Sequence, residues 1–525
     1  MVSVDGIKPT PFWAHAASLV TRASICRIAL LAIVAAAVAL RVSPLVHGGF
    51  WRDEVATWLF ANLPLSQILP AIRDIDANPP GFYLLEWCVA HTIGSTPFDL
   101  ELPSMFFAAA LVVLTYRLGK RLHSDVAGLG AAFMIAIDPI AIREAADARC
   151  YTLLALVCAW AALAILRLRA DESYASAFWL AVSSSTAMYL HYTGIIYVGA
   201  LFAASFLDAR ANKRILILLA ISGSTALISY LPWLPAFVQH QRIGIPVLPN
   251  GLSLTARLRT LIDPLRAGLS LWIVMVALWL ARLAWTRRAD AADRRIAWAV
   301  GLIAALQILL LARSMLNGRY AFSTLPLCYA TVAAIAVQCA SFRTAALPIR
   351  SGKVFFACVL LPVVMYASAS LRVALSFERF LSQPKSGVTR FAPTVDDRAD
   401  TLVLAAPDYY APTLAYALRD KKRIALDGFV RTERPQWYRF AQGYAALWTD
   451  PRAIDTALGR IESRLATRTI LFVMQLSNEQ VGSIDYGRSF TLLARLEQRY
   501  RVRDDTIYSG SWEPIRVVRL ERRGH

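Results

Sequence analysis

Asp53 and Glu54 sit directly after the first long apolar block, in the run Phe50-Trp51-Arg52-Asp53-Glu54-Val55-Ala56-Thr57-Trp58. An acidic pair bracketed by tryptophans at interface depth offers a general base. Partial desolvation there raises a carboxylate pKa toward a useful range. The plain alternative is a solvated helix start, because acids favour the first turn. A second charged group follows Asp138-Pro139 and reads Arg143-Glu144-Ala145-Ala146-Asp147-Ala148-Arg149-Cys150-Tyr151. Arg149 leads straight into the apolar run Thr152–Leu156, so its guanidinium stands at or just inside an interface, where an ionisable group needs a partner. A lipid phosphate suits Arg149 and Arg143, since guanidinium binds phosphate through two parallel hydrogen bonds. An internal pair with Asp147 or Asp53, or snorkelling to headgroups, is the competing reading. Arg319-Tyr320, with Pro326 beyond, opens a later block in the same manner. The run Asp76–Trp87 reads as an interfacial helix capped by Asn78, with Pro79 or Pro80 in its first turn. Phe82 and Glu86, and Tyr83 and Trp87, share faces of that helix at i, i+4.

The elements that must position these groups are apolar and long. The 525-residue chain is 57% hydrophobic and 17% charged, against about 25% charged in soluble proteins. Hydrophobic blocks of roughly 17 to 25 residues suit helices crossing a hydrocarbon core of about 30 Å. The expected spans are 25–46, 101–118, 126–142, 150–168, 176–190, 193–208, 214–234, 268–285, 296–313, 320–341 and 354–373. The stretch 79–94 is kept out as interfacial. The net charge of +19 lies mostly in alternate turns between blocks, which places the N-terminus in the cytoplasm by the positive-inside rule and argues topology rather than nucleic acid. The fold class expected is therefore a mainly α polytopic membrane protein of about eleven helices. Residues 1–375 form the membrane module, with an outer loop at 47–100. Residues 376–525 form a small extracytoplasmic α/β domain, in which Thr401–Ala406 and Thr469–Met474 read as buried strands. Helical patterns accompany them at Tyr410–Leu418 and Pro451–Ala466. The seven cysteines lie in or beside apolar blocks without CxxC spacing and read as small buried hydrophobes.

Phosphate-loop, dinucleotide, zinc-protease and serine-hydrolase motifs do not occur, which argues against nucleotide-driven chemistry. Taken together the charged runs resemble the GT-C fold glycosyltransferases, nearest to glycosyltransferase family 39: the protein mannosyltransferases and bacterial aminoarabinose transferase-like proteins. The resemblance rests on Asp53-Glu54 after the first span and on Asn78-Pro79-Pro80-Gly81-Phe82-Tyr83-Leu84-Leu85. It also rests on Leu100-Glu101-Leu102-Pro103-Ser104, Asp147-Ala148-Arg149-Cys150-Tyr151, and Arg319-Tyr320 with Pro326. Asn78, Glu101 and Asp147 replace the family's frequent His, basic residue and Glu.

The resemblance implies a polyprenyl-phosphate-linked sugar donor, an acceptor glycan, lipid or protein, and inversion at the anomeric carbon. It places the enzyme in a bacterial inner membrane with its C-terminal domain periplasmic. In that reading Asp53 is the base, with Glu54 as its catalytic companion. Arg149, helped by Arg143 and Arg319, stabilises the leaving phosphate. Asp147, Asn78, Tyr83, Glu86, Tyr151 and Tyr320 support them. No residue is assigned to a metal and no cofactor is identified; a second carboxylate holding a divalent ion against the phosphate stays open. The alternatives are a secondary transporter or lipid flippase, and an oligosaccharide ligase or polymerase. Both are less favoured because the charged groups gather at one face and the large outer segment comes last.

Overall fold

A charged residue and a proline together break what would otherwise be one helix, and the break opens the site. In the computed structural model α6 (Asp125–Ile137) stops at Asp138, whose carboxylate accepts the Ala141 N–H at 2.8 Å and so caps the short α7 (Pro139–Glu144). Pro139 occupies the first turn, where its missing N–H costs nothing. The expected span 126–142 is thus two elements. The break leaves α6 carbonyls without intrahelical partners, a costly state in a bilayer. Arg41 satisfies them: its guanidinium donates to the carbonyls of Ala136 (2.9 Å) and Ile135 (3.3 Å). Asp138 in turn accepts the Tyr329 hydroxyl at 2.5 Å and the Tyr366 hydroxyl at 3.2 Å.

The structure describes residues 12–76, 78–209, 212–243, 266–287, 289–312, 318–340, 349–381, 383–406, 410–427, 452, 454–456, 458–459, 469–476 and 484–523. Before the break come α1 (Phe12–His47), α2 (Arg52–Ala61), α3 (Leu65–Ile75), α4 (Gly81–Thr92) and α5 (Pro97–Leu122). After it come α8 (Tyr151–Asp171), α9 (Tyr174–Leu190), α10 (Tyr192–Ala209), α11 (Lys213–Tyr230) and α12 (Leu234–Ile243). Further helices run over Arg266–Thr286, Ala291–Ala312, Leu325–Ala340 and Ile349–Leu381, the last past residue 375. Among the described residues every expected block falls on helix, save for the break at Asp138. Among the described residues, seven stretches are long and apolar enough to cross a membrane: Ala23–Val42, Pro97–Leu122, Tyr151–Asp171, Tyr192–Ala209, Lys213–Arg242, Arg319–Ala340 and Val359–Ser376. Asp125–Ile137 and Ser270–Thr286 are shorter apolar helices. This is an integral membrane protein. At 12 residues, α4 is about 18 Å long at 1.5 Å per residue, too short to cross about 30 Å of hydrocarbon. It lies close against the end of α9, where a Cβ on Gly81 would stand 2.7 Å from the Tyr189 carbonyl oxygen.

The C-terminal part is a five-stranded sheet in the order β2-β1-β3-β5-β4. The two apolar runs are strands, as their composition predicts; the structure makes β1 (Thr401–Ala406) and β3 (Thr469–Gln475) parallel neighbours, paired from Thr401 with Thr469 to Ala406 with Met474. β2 (Ala425–Asp427) is parallel beside β1. β5 (Ile515–Arg522) is antiparallel to both β3 and β4 (Tyr500–Tyr508). β1 is buried at every position, the mark of a strand covered on both faces. Leu402, Leu404, Phe472 and Met474 meet the Ile484–Arg499 helix on one face. Val403, Ala405 and Val473 meet Phe391, Tyr410 and Leu414 on the other. A helix at Ala411–Ala417 answers the Tyr410–Leu418 pattern, whereas most of Pro451–Ala466 lies outside the described residues. Four described cysteines are buried as expected, but Cys88 is exposed and Cys26 half-buried.

Candidate active site

Asp53 and Glu54 both lie in the first turn of α2, and at 3.6 residues per turn their side chains diverge by about 100°. That divergence separates their environments. The Asp53 carboxylate is 24% exposed, and the Glu54 carboxylate is 0% exposed.

Glu54 points inward. It accepts the backbone N–H of Trp51 (3.2 Å) and of Ala148 (2.8 Å), tying α2 to the loop before α8. Lys385, arriving from the segment after the Ile349–Leu381 helix, donates to Glu54 at 2.6 Å and stands 2.8 Å from Glu101 on α5. Burial pushes the Glu54 carboxyl well up, against the pull of the Lys385 ammonium. Burial opposes the charge on Lys385, yet Glu101 and Glu54 outweigh it and raise its pKa. The acid inside the α5 span is thereby explained: its cation comes from far along the chain.

Arg319 organises the other half. Its guanidinium contacts Asp147 at 2.9 Å, Glu144 at 3.2 Å and Asp53 at 3.5 Å. It lies 4.6 Å from the Trp51 ring centre and 5.3 Å from that of Tyr151. The Trp51 indole N–H donates to the second oxygen of Asp147 (3.1 Å), and the Asp147 carbonyl accepts the Ser104 hydroxyl (2.7 Å). Asp147 is thus a fixed anchor for Arg319. Arg143 sits at the rim, 3.6 Å from Glu144 and 4.8 Å from the Trp512 ring centre.

Arg149 differs from every other cation of the cluster. It is 8% exposed and donates to the Tyr83 hydroxyl (3.2 Å), the Asp53 carbonyl (3.3 Å) and the Thr57 hydroxyl (3.4 Å). Among the described residues no carboxylate lies within salt-bridge distance of it, and its buried Nε has no hydrogen-bond partner. The internal pairs with Asp147 or Asp53 weighed from the sequence do not form. Burial works against ionisation of Asp53, but the guanidiniums of Arg52, Arg149 and Arg319 outweigh it and hold the carboxyl below its ordinary range.

The supporting residues divide. Tyr83 bridges Arg149 and Asp76. Tyr151, Tyr320 and His191 line one wall, with ring centres 5.2 to 6.3 Å apart. Asn78 does not cap α4: Pro80 holds the N-cap position without a side-chain bond, and Asn78 donates to Asp76 at 3.4 Å instead. The prolines set the helix start, so the amide is released to its neighbour. Glu86 is fully buried with neither oxygen hydrogen-bonded. Burial, then the Glu101 charge, pushes its carboxyl well up.

The C-terminal part closes the site. Trp512 meets Trp51 with ring centres 5.0 Å apart and stands over Lys385 at 5.1 Å. Glu513 accepts the Arg52 backbone N–H at 3.1 Å and the Gln475 amide at 2.6 Å. Gly387 lets the Lys385 segment pass the strand end, because a Cβ there would meet the Tyr508 carbonyl oxygen at 2.2 Å. Lys385, Trp512 and Glu144 escape sequence reasoning. Glu101, an acid in an apolar span, was the one local sign that a buried cation had to exist. Among the described residues no group of three or more His, Cys, Asp or Glu side chains forms a metal site.

The family model for dolichyl-phosphate-mannose-protein mannosyltransferases matches residues 77–235. ArnT from Cupriavidus metallidurans, solved bound to undecaprenyl phosphate, superposes with a TM-score of 0.54 at 12% identity, covering 95% of this chain and 98% of that one. The oligosaccharyltransferase AglB from Archaeoglobus fulgidus, solved with an inhibitory peptide and a dolichol-phosphate, gives 0.53 at 11%, covering 94% and 74%. The arabinofuranosyltransferase AftD from Mycobacteria gives 0.50 at 14%, covering 94% and 40%. No curated protein matches the chain by sequence. The chain has the fold of the GT-C glycosyltransferases, and the resemblance read from its charged runs holds at that level.

Proposed function

We propose that this protein is an inverting membrane glycosyltransferase that moves a sugar from a polyprenyl-phosphate donor to an acceptor on the outer face of a bacterial inner membrane, with its C-terminal domain periplasmic and about eleven crossings. One observation carries the reading: a part-exposed carboxylate, Asp53, stands beside Arg149, a buried guanidinium that forms no salt bridge with any described carboxylate. A buried cation without a protein anion is a ready site for a ligand anion. Two of the solved GT-C structures carry undecaprenyl phosphate or dolichol-phosphate, and a lipid phosphate has the charge and the paired acceptor oxygens that a planar guanidinium fork takes.

In this mechanism the acceptor hydroxyl oxygen attacks the anomeric carbon from the face opposite the phosphate. The carbon–phosphate oxygen bond breaks, its electron pair stays on the phosphate, and the hydroxyl proton passes to Asp53. Arg149 takes the charge growing on the phosphate, with Arg319 beside it and Arg143 at the rim. The arriving phosphate also offsets the field of those arginines on Asp53 and so makes the carboxylate a better base. Glu54 and Asp147, both clamped, hold the α2 start and Arg319 in place. Tyr83 and Thr57 aim Arg149. The test is single-turnover transfer from a lipid-phosphate sugar by purified full-length protein. Asp53→Asn should abolish transfer with folding intact; near-normal transfer would remove Asp53 as base. Deleting the gene and comparing masses of envelope glycans and glycolipids would identify the product.

A further inference from the structure

The opposite end of the bundle carries a cavity that the proposed chemistry does not use. It has a volume of about 490 Å³, within the roughly 300–1,000 Å³ common for small-ligand sites. One wall is a stripe of α8, Leu156, Trp160, Leu163 and Arg167, at i, i+4, i+7 and i+11. The facing wall is a stripe of α5 ending at Arg117. Such spacing keeps each set on one helix face. From Leu156 to Arg167 the stripe runs about 16 Å at 1.5 Å per residue, roughly half of an about 30 Å hydrocarbon core. The groove therefore has the depth of a single leaflet, with both arginines at one end. Trp179 of α9 completes it, its ring centre 5.0 Å from that of Trp160.

The two arginines are conspicuous among their neighbours. Lys120 pairs with Asp125, Arg169 with Asp208, Arg121 donates to the Leu166 carbonyl, and Arg295 donates to that of Leu122. Arg117 and Arg167 form no ion pair or hydrogen bond with any described residue, and both are exposed. No acidic side chain lines the cavity, so no carboxylate there would pair with the ammonium of a zwitterionic headgroup.

We infer that this groove binds one anionic phospholipid of the leaflet opposite the carboxylate cluster, its phosphate held by Arg117 and Arg167 and one acyl chain laid between the α5 and α8 stripes. Basic pockets between membrane helices recognise anionic headgroups in this way, at about 1 kcal/mol, or fivefold, per arginine.

The site is tested by native mass spectrometry of the full-length protein in neutral detergent. The probes are phosphatidylglycerol and phosphatidylcholine with identical chains. Wild-type protein should retain one phosphatidylglycerol per chain and lose phosphatidylcholine. Arg117→Gln with Arg167→Gln should weaken phosphatidylglycerol binding by about twenty-five-fold, fivefold for each arginine. Leu156→Trp, which fills the groove without altering charge, should weaken it too. Equal retention of the two lipids by wild type overturns the proposal, as does undiminished binding by the double variant. Displacement of phosphatidylglycerol by a stoichiometric polyprenyl phosphate would also overturn it, giving the groove to another lipid. A correct fold in each variant is read from its melting temperature.

Discussion

The two ends of the helix bundle treat cations in opposite ways. At the end carrying Asp53, Arg319 is within 3.5 Å of three carboxylates and Lys385 within 2.8 Å of two. At the far end Arg117 and Arg167 face an apolar groove with no acid in it. The carboxylates at the first end hold cations rigidly where water is scarce; the lone arginines at the second end are positioned for headgroups that the membrane itself supplies. Arg149 is the exception that makes the first end chemical rather than architectural. It sits within a carboxylate-rich cluster, yet none of those carboxylates meets it.

Breaking that contrast at Asp53 should have the largest consequence. Asp53→Asn should lower turnover by about 10²–10⁴-fold, the usual worth of a positioned base, with an unchanged melting temperature; multiple-turnover kinetics with a lipid-phosphate sugar reads it. Arg149→Gln comes next, with the KM for the donor expected to rise by about tenfold or more while that for the acceptor holds. Equal movement of both constants would deny Arg149 the phosphate. Lys385→Met attacks the rigid half. It strands Glu54 and Glu101 without a cation, and removing one partner of a buried pair costs about 3–5 kcal/mol. Thermal unfolding should register that loss, and Glu101→Gln in the same chain should recover part of it. A Lys385→Met protein as stable as wild type would show that the triad carries no stability.

The smallest effect is a pH shift. Asp53 acts as a base only when ionised, and its pKa is lowered by neighbouring guanidiniums. Transfer should therefore persist as pH falls through the ordinary carboxylate value of about 4 and fail only below it. The stability that its ionised form contributes follows the same direction, present above the unfolded-state value and lost as pH drops through the folded one. Arg52→Gln removes a charge 3.2 Å away and should move the acid limb of kcat/KM upward. A limb that stays where it was would mean another group controls it.

Helix positions, the two buried strands at Thr401–Ala406 and Thr469–Met474, and the convergence of Asp53, Asp147, Arg149 and Arg319 are legible in the sequence, whereas the parallel pairing of those strands is not. Apolar blocks dictate spans, and charges at block ends must collect at an interface. Neither rule distinguishes Asp53 from Glu54. Adjacent and chemically alike, they diverge only because one turn of α2 aims one at the rim and the other at Lys385. The partners at that point, Lys385 and Trp512, lie more than 300 residues away in sequence and carry no spacing signal. Asn78 was misread because local capping preference is weak beside two prolines that fix the helix start. The sequence alone determined which residue types would be trapped at membrane depth, since water-to-lipid transfer depends on composition. Tertiary structure decided which cation meets which carboxylate, and which guanidinium is left for a ligand, since ångström-scale pairing is set by how distant segments pack.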